Sequence, residues 1–406
     1  MISECPSVVL VGIAGYGEVY ASALLDDAPQ VPGRLIAVVD PAPERSPRAS
    51  QIRARNIPIH ASLEDFYRQR QADLVIISSP IHAHCRQTCL ALAHGSNVLC
   101  EKPAAATVQG LDEMIAAESA ADRWVAIGFQ WSFTTPIRQL KDDLRAGVFG
   151  APRSAAALAL WPRPRSYYTR NAWAGRQRDD HGNWILDSPA NNAMAHDLHN
   201  LLFLLGDDPD RSARPVEIVA EAYRANAIKN YDTVAARVRT DHEVHILFLA
   251  SHAVAQDSDP AFVIECDRAV IRFEGGSAPI LAAFHDGSVK EYPSPNTQSQ
   301  MTKLWCALDA TIHPARPLCD LHAARAHTVC INGIQDSVPR PHVFPAHLVH
   351  SKAHGDDAVL AVSGLAAVLT ECYRRRLLPH ELGAPWAIPG RAIGLRGYRS
   401  FPGGGA

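Results

Sequence analysis

Glu101, Lys102 and Pro103 stand directly behind the apolar run of NVLCEKPAAA, residues 97–106, so a lysine sits at the end of what reads as a buried β-strand. Lysine is costly to bury and its pKa shifts readily, so in such a place it either snorkels to water or takes part in chemistry. A second chemical signal lies near the start, where SVVLVGIAGYGEVY sets Gly15, Tyr16 and Gly17 between a strand and a helix. Glycine there lets the chain turn tightly and lets a pyrophosphate approach the helix amino terminus, where the dipole favours negative charge. Read from Gly15, the fingerprint G-x-G-x-x-G has Tyr20 in place of its third glycine. Asp40 closes the next apolar run, where a carboxylate takes the ribose hydroxyls of NAD and repels the extra phosphate of NADP. Arg45 and Arg48 follow, which keeps NADP possible. A third signal is WPRPRSYYTRNAWAGRQRDDHGNW, with Tyr167, Tyr168, Arg170, Trp173 and five arginines between Arg163 and Arg178. Aromatic faces pack against sugar C–H groups and arginine forks hold carboxylate or phosphate, but the same arginines also suit a solvated loop, and both readings stay open.

These residues need a scaffold. From Ser7 to Gly128 short apolar runs alternate with helical lengths, the pattern of a parallel sheet covered on both faces. TPIRQLKDDLRAGVFGAP follows as a helix that stops at glycine. Beyond Arg153, the runs RSAAALALW, VEIVAEAYRA, TVAARVRT, EVHILFLASHAV, AFVIECDRAVIRFEG and SVKEYP are strand-like and joined by short polar turns, which predicts a mostly antiparallel sheet, with a helix over NNAMAHDLHNLLFLLG. The pattern therefore predicts an α/β protein: a dinucleotide-binding domain over 1–128, a substrate-binding and oligomerisation domain over 129–355, an amphipathic helix over 356–378 and a loose tail over 390–406. The 406 residues, 47% hydrophobic with a formal net charge of -3, suit two globular domains and offer no basic surface for nucleic acid or membrane. Nine cysteines show no C-x-x-C pair or metal-finger spacing, and MISECPSVVL has neither the basic nor the apolar region of a signal peptide, so a reduced cytoplasm is expected. No apolar stretch approaches the roughly 20 residues of a membrane helix.

Taken in order, VGIAGYG, AVVDP, ISSPIHAH, VLCEKPAAA, IGFQWSF and AGVFGAPRS resemble the family of glucose-fructose oxidoreductase, inositol dehydrogenase and rhizopine catabolism proteins, Gfo/Idh/MocA. The resemblance implies an N-terminal Rossmann domain, a C-terminal α/β domain with an open, mostly antiparallel sheet, and hydride transfer between a nicotinamide and a sugar, cyclitol or related alcohol. It implies NAD contacts by Gly15, Tyr16, Gly17, Glu18, Asp40, Ser79, Pro80, His84 and Glu101, and a catalytic Lys102 whose ammonium meets alkoxide charge on the reacting oxygen. The bond before Pro103 is often cis in that family. The family carries an aspartate and a histidine ahead of an L-L-G stop. Counting back from Gly206 places the histidine, the proton acceptor, at His196. Asp187 fills the aspartate role across an insertion, or Asn192 stands in that place. The family's further aspartate is His199 here, Gln130 occupies a usually polar position, and Ser132 stands where arginine is common. Gln130, Tyr168, Arg170, Trp173, Asn192 and His199 are the expected substrate contacts. His196 and His199, three apart on a helix, could in principle share a metal, but no third ligand at a telling spacing accompanies them and no metal is expected.

A homodimer or homotetramer is expected through the antiparallel sheet after Val216, with Val234, Val238, Ile246 and Phe248 supplying the patch. Two other functions fit the motifs: a glycosidase or lyase that oxidises a sugar transiently with retained NAD, and a dinucleotide-sensing regulator without catalysis. Lys102 and His196 together argue against the regulator.

Overall fold

The computed structural model describes residues 5–25, 32–313 and 315–403. Among these residues the chain forms two compact units: one takes the chain through Ala105, Gln109–Thr134 and Gln298–Arg325, and the other takes Ala106–Val108, Thr135–Thr297 and the chain from Ala326.

In the first unit the strands β1 (Ser7–Val11), β2 (Arg34–Val39), β3 (Ile59–His60), β4 (Leu74–Ile77), β5 (Asn97–Cys100) and β6 (Val125–Ile127) form a parallel sheet in the order β3-β2-β1-β4-β5-β6. The β4 side chains are buried throughout, as are Val98, Leu99 and Cys100 of β5, which is why these strands read as unbroken apolar runs rather than alternating ones. Helices α1 (Gly17–Leu25), α2 (Ala49–Ala54), α3 (Leu63–Tyr67), α4 (Ile81–Ala93) and α5 (Val108–Ala120) make the connections. The strand order reverses between β1 and β4, and the crevice beyond the carboxyl ends at such a reversal is where this architecture takes ligands.

The second unit holds α6 (Thr135–Arg145), β7 (Pro152–Leu160), α7 (Arg165–Thr169), α8 (Ala195–Leu204) and the strands β8 (Pro215–Arg224), β9 (Thr233–Thr240), β10 (His245–Ser251), β11 (Ser258–Cys266), β12 (Ala269–Phe273), β13 (Ile280–Phe284) and β14 (Val289–Tyr292). Further along the chain come α9 (Thr302–Ile312), which belongs to the first unit, α10 (Leu321–Ser337), β15 (His342–Val343), β16 (Val349–His354), β17 (Asp357–Val362), α11 (Leu365–Arg375) and β18 (Ile393–Gly394). The sheet runs β14-β13-β12-β11-β7-β10-β9-β8-β15, antiparallel except for the β7–β10 and β8–β15 pairs. The α/β class and both sheets therefore follow the expected plan.

Four expectations need correction. The first domain does not end at 128: α9 returns to it, with Leu304, Trp305 and Leu308 buried, Leu308 lying against Gly33, and the Ile127 N–H donating to the Cys319 carbonyl at 2.8 Å. The helix expected over 356–378 begins only at Leu365. Asp357–Val362 instead pairs with Val349–His354 as a hairpin turned at Gly355, whose φ of 59° suits glycine, and Gly364 at φ 76° then starts α11.

The described part of the 390–406 tail is not loose; residues 404–406 lie outside the described residues. Ile393–Gly394 adds a strand to β8, Tyr398 donates to Asp336 at 2.6 Å, and Leu395 and Phe401 are buried. An edge strand with unpaired N–H and C=O groups is a ready template, and here the chain's own end uses it. Last, Val234, Val238, Ile246 and Phe248 are all 0% exposed within a single chain, so they cannot supply a pairing patch. They lie on the sheet face that carries α8, while the alternate residues Ala235, Leu247 and Leu249 pack with Leu365, Leu369 and Cys372 of α11 and with Trp386. Both faces are thus covered from within, each buried leucine or isoleucine contributing about 1.5–3 kcal/mol.

Candidate active site

At the end of β1, Gly12 has φ 81°, and a Cβ there would stand 2.8 Å from the Ser78 carbonyl oxygen. A Cβ on Gly17, the first residue of α1, would stand 2.1 Å from the Gly12 oxygen. Gly15 needs glycine for its φ of 60° alone, since nothing lies within 4 Å of its Cβ position. The fingerprint therefore starts at Gly12 and runs through Ala14 to Gly17, and Tyr20 is no part of it. The Gly12–Gly17 spacing behind an apolar run carried that signal; counting from Gly15 missed it. The cradle suits a pyrophosphate: the space beside Gly15 is open, and the turn leads into the start of a nine-residue helix. Glu18 accepts a hydrogen bond from the Gly15 N–H at 3.3 Å and holds the turn.

Asp40 is fixed by two backbone donors, the Ile13 N–H at 3.0 Å and the Ala42 N–H at 2.9 Å. It lines a cleft of about 370 Å³ with Pro43, Arg53, Ile57 and Ile59. Arg48 reaches Gln51 at 2.8 Å and Ser22 at 3.2 Å. Pro80 caps α4, the Ser79 hydroxyl donates to Gln87 at 2.5 Å, and His84 is buried with one ring nitrogen 2.9 Å from the Ser79 carbonyl and the other 2.9 Å from that of Pro103. Burial lowers the His84 pKa. His84 thus ties the β4 and β5 ends together from inside rather than reaching a ligand.

Lys102 is half-buried at the carboxyl end of β5, and the Lys102–Pro103 bond is cis. Glu101 points the other way. Its carboxylate is ion-paired with Lys303 of α9, accepts the Tyr20 hydroxyl at 2.7 Å and accepts the Lys102 N–H at 3.1 Å. Gly128 leaves it room, since a Cβ there would stand 2.8 Å from Glu101 Oε1. Lys303 also donates to the Tyr16 hydroxyl at 3.1 Å and lies 4.4 Å from the centre of that ring, while Tyr16 donates to Gln300 at 3.0 Å. The pair is charged: burial opposes ionisation of Glu101, but the Lys303 and Lys102 ammonium groups hold its pKa below the usual value, and burial costs Lys303 part of a basicity that Glu101 partly restores. Lys303 is the residue that the motifs did not reveal, because its partner is 202 positions away.

In the second unit Asp187 and Asn192, alternatives in the sequence, touch each other. Asn192 Nδ2 donates to Asp187 Oδ1 at 2.7 Å and the Gly175 N–H donates to Oδ2 at 2.6 Å. Leu186, fully buried, precedes Asp187 at φ 55°, a strained conformation for a bulky residue of the sort that surrounding structure imposes at functional sites. His196 is the second residue of α8 and half-buried. His199 is a core residue, 1% exposed and stacked on Phe203, with its pKa well below the usual value through burial and the neighbouring His327 and Lys141. That placement corrects its expected substrate contact.

Tyr168 has its hydroxyl buried with no hydrogen-bond partner among the described residues, and burial, Asp232, Tyr167 and Asp187 raise its pKa well above the usual value. It stays a phenol, a donor in want of an acceptor. Arg170 is exposed, with its guanidinium 3.6 Å from the Tyr167 ring centre and 5.3 Å from that of Trp173; Arg178 lies 3.4 Å from that of Trp184, and Arg176 pairs with Asp180 at 2.5 Å. The arginine-rich stretch is thus held largely by its own aromatics and acids. Gln130 is half-buried and Ser132 buried in the short turn Gln130–Phe133 of the first unit. In the second unit His252, unforeseen, lies 5.6 Å from Tyr167 with one ring nitrogen 2.7 Å from the Trp161 carbonyl oxygen, and its pKa is pulled to about 3 by burial.

Residues 7–129 match the family model described as "Oxidoreductase family, NAD-binding Rossmann fold", and residues 137–272 match the Gfo/Idh/MocA C-terminal domain, together more than half of the chain. The inositol 2-dehydrogenase of Ralstonia nicotianae is 28% identical over 176 residues, 43% of this chain and 48% of that protein, so the chain spans about half the length of the curated relatives it matches. Among solved structures, an Agrobacterium radiobacter oxidoreductase in complex with NAD+, L-tartaric acid and magnesium superposes with a TM-score of 0.68 at 16% identity, covering 83% of this chain and 97% of the other. The WlbA dehydrogenase of Bordetella pertussis, in complex with NADH and UDP-GlcNAcA, gives 0.65 at 18% identity over 82% and 97%.

Proposed function

Because this chain belongs to the Gfo/Idh/MocA oxidoreductase family, we propose that it binds NAD(H) and transfers a hydride between the nicotinamide and a hydroxyl-bearing carbon of a sugar, cyclitol or sugar derivative. The observation that carries this reading is the end of β5, where a buried, ion-paired Glu101 turns away and leaves Lys102 at the ligand edge of the sheet. Bound nicotinamide would supply the two-electron donor or acceptor. Gly12 and Gly17 allow the tight backbone turn that presents the start of α1 to the pyrophosphate, and Asp40 takes the adenosine ribose and favours NAD over NADP. Lys102 donates to the oxygen whose charge changes during transfer, and His196 holds or takes its proton.

Asp187 and Asn192 act as one hydrogen-bonded unit, and the Tyr168 hydroxyl, with Trp173, Arg170 and Gln130, contacts substrate. The inositol dehydrogenase and the UDP-GlcNAcA-bound dehydrogenase support a polyhydroxylated substrate, the second of them one bearing acidic groups. A reducing cytoplasm fits nine cysteines with no disulfide among the described residues, and no described helix is long and apolar enough to cross a membrane. A homo-oligomer, if formed through the sheet, uses the rim where Leu281 and Val289 are exposed rather than the patch that α8 covers.

The test is NADH formation, followed in stopped flow, across a panel of cyclitols, aldoses, sugar acids and nucleotide sugars. Lys102→Ala and His196→Ala should each lower turnover by about 10² to 10⁴ and leave NAD affinity nearly intact. No cofactor reduction or oxidation with any member of the panel, in a protein that binds NAD, would replace this reading with the regulator. An undiminished rate in either variant would remove that residue from its role.

A further inference from the structure

We infer that Cys85, Cys89 and Glu113 form a binding site for one thiophilic divalent cation of the zinc class in the nucleotide unit. Cys85 and Cys89 are one turn apart on α4, so their sulfurs share a helix face, and Glu113 comes to them from α5. The two sulfurs and a carboxylate oxygen all lie within 4.8 Å of one another, and no other such group of three occurs among the described residues. Ligand atoms around a tetrahedral zinc ion stand about 3.3–3.8 Å apart, given Zn–S near 2.3 Å and Zn–O near 2.1 Å, so the cluster closes on an ion by a movement of about 1 Å.

The exposed Glu113 side chain can make that movement, while both cysteines are half-buried and fixed by the helix. Cys85 Sγ donates to the Gly110 carbonyl at 3.2 Å, one turn before Glu113 on the same face of α5, which keeps the thiol turned towards that helix. On binding, each thiol releases its proton to solvent as its sulfur–metal bond forms, the carboxylate adds a third bond and water fills the fourth position; no oxidant or reductant takes part. Two thiolates select zinc or cadmium over magnesium or calcium. The spacing C-x-x-x-C within one helix is not a metal-finger pattern, which is why the sequence concealed it.

The test uses the reduced full-length protein. Titration with Cd²⁺ should give a thiolate-to-metal charge-transfer absorption that saturates at one equivalent, which Zn²⁺ displaces and Mg²⁺ does not. Cys85→Ser and Cys89→Ser should each abolish it, and Glu113→Gln should weaken binding. In the wild type, Zn²⁺ should suppress alkylation of Cys85 and Cys89, read by peptide mass, and leave the exposed Cys5 reactive. That readout holds whether or not the serine variants fold. No saturable band, a band that survives in Cys85→Ser/Cys89→Ser, or alkylation of both thiols unaffected by Zn²⁺ would overturn the site.

Discussion

Replacing Lys303 with methionine removes one member of a pair whose side chains are 1% and 8% exposed. Glu101 would keep Tyr20 as a donor but lose its buried cation, and the Tyr16 hydroxyl and the Gly128 carbonyl would lose a partner at 3.1 and 3.4 Å. A charge left buried without its partner costs about 3–5 kcal/mol. At about 2–4 °C per kcal/mol, Lys303→Met should therefore lower the melting temperature of the nucleotide unit by roughly 6–20 °C. Glu101→Gln/Lys303→Met removes both charges and should recover most of the loss, because two neutral groups of similar size carry no such penalty. The assay is calorimetry at neutral pH, supported by urea titration, on wild type, both single variants and the double variant. A Lys303→Met protein within about 1 kcal/mol of wild type, or a double variant no more stable than that single one, would refute the assignment of a charged, mutually dependent pair. Recovered stability without recovered turnover would show, in addition, that the Glu101 charge acts on Lys102.

The same pair has an acid limb. Since Lys303 holds the folded Glu101 pKa below its unfolded value, its stabilisation is present above about pH 4.3 and is lost as pH falls through the folded value, so wild type should lose stability more steeply than Glu101→Gln/Lys303→Met in acid urea titrations. Gly12→Ala and Gly17→Ala should abolish NAD binding in fluorescence titrations and destabilise the unit, whereas Gly15→Ala should cost only about 1–2 kcal/mol for its left-handed backbone. Asp40→Ser should narrow a preference for NAD over NADP of about one to two orders of magnitude, and wild-type affinities that are equal would remove Asp40 from cofactor selection.

What the sequence disclosed depended on the range of the signal. Strands buried on both faces, the glycine turn and the Asp40 position are local patterns, and each sheet followed from them. The hairpin at Gly355 was also local, yet DDAVLAV read as the start of a helix because a short apolar run has no period long enough to choose between the two. Lys303, the tail strand and the covered sheet face depend on partners far along the chain, and no window of residues contains both halves of those contacts. His196 was placed by its distance from Gly206, whereas the burial of His199 follows from Phe203 and from what α8 packs against.

The return of Gln298–Arg325 to the first unit has a consequence for synthesis on the ribosome. Glu101 emerges long before Lys303: the 202 residues between them take about 10–40 s at about 5–20 residues per second. During that interval the parallel sheet can collapse only with Glu101 protonated, solvated or displaced, so the nucleotide unit cannot reach its final packing before most of the other unit has been made. A fragment that stops before Gln298 would carry every recognisable dinucleotide motif and still hold a buried acid with no base, which makes it a poor candidate for expression as an autonomous module.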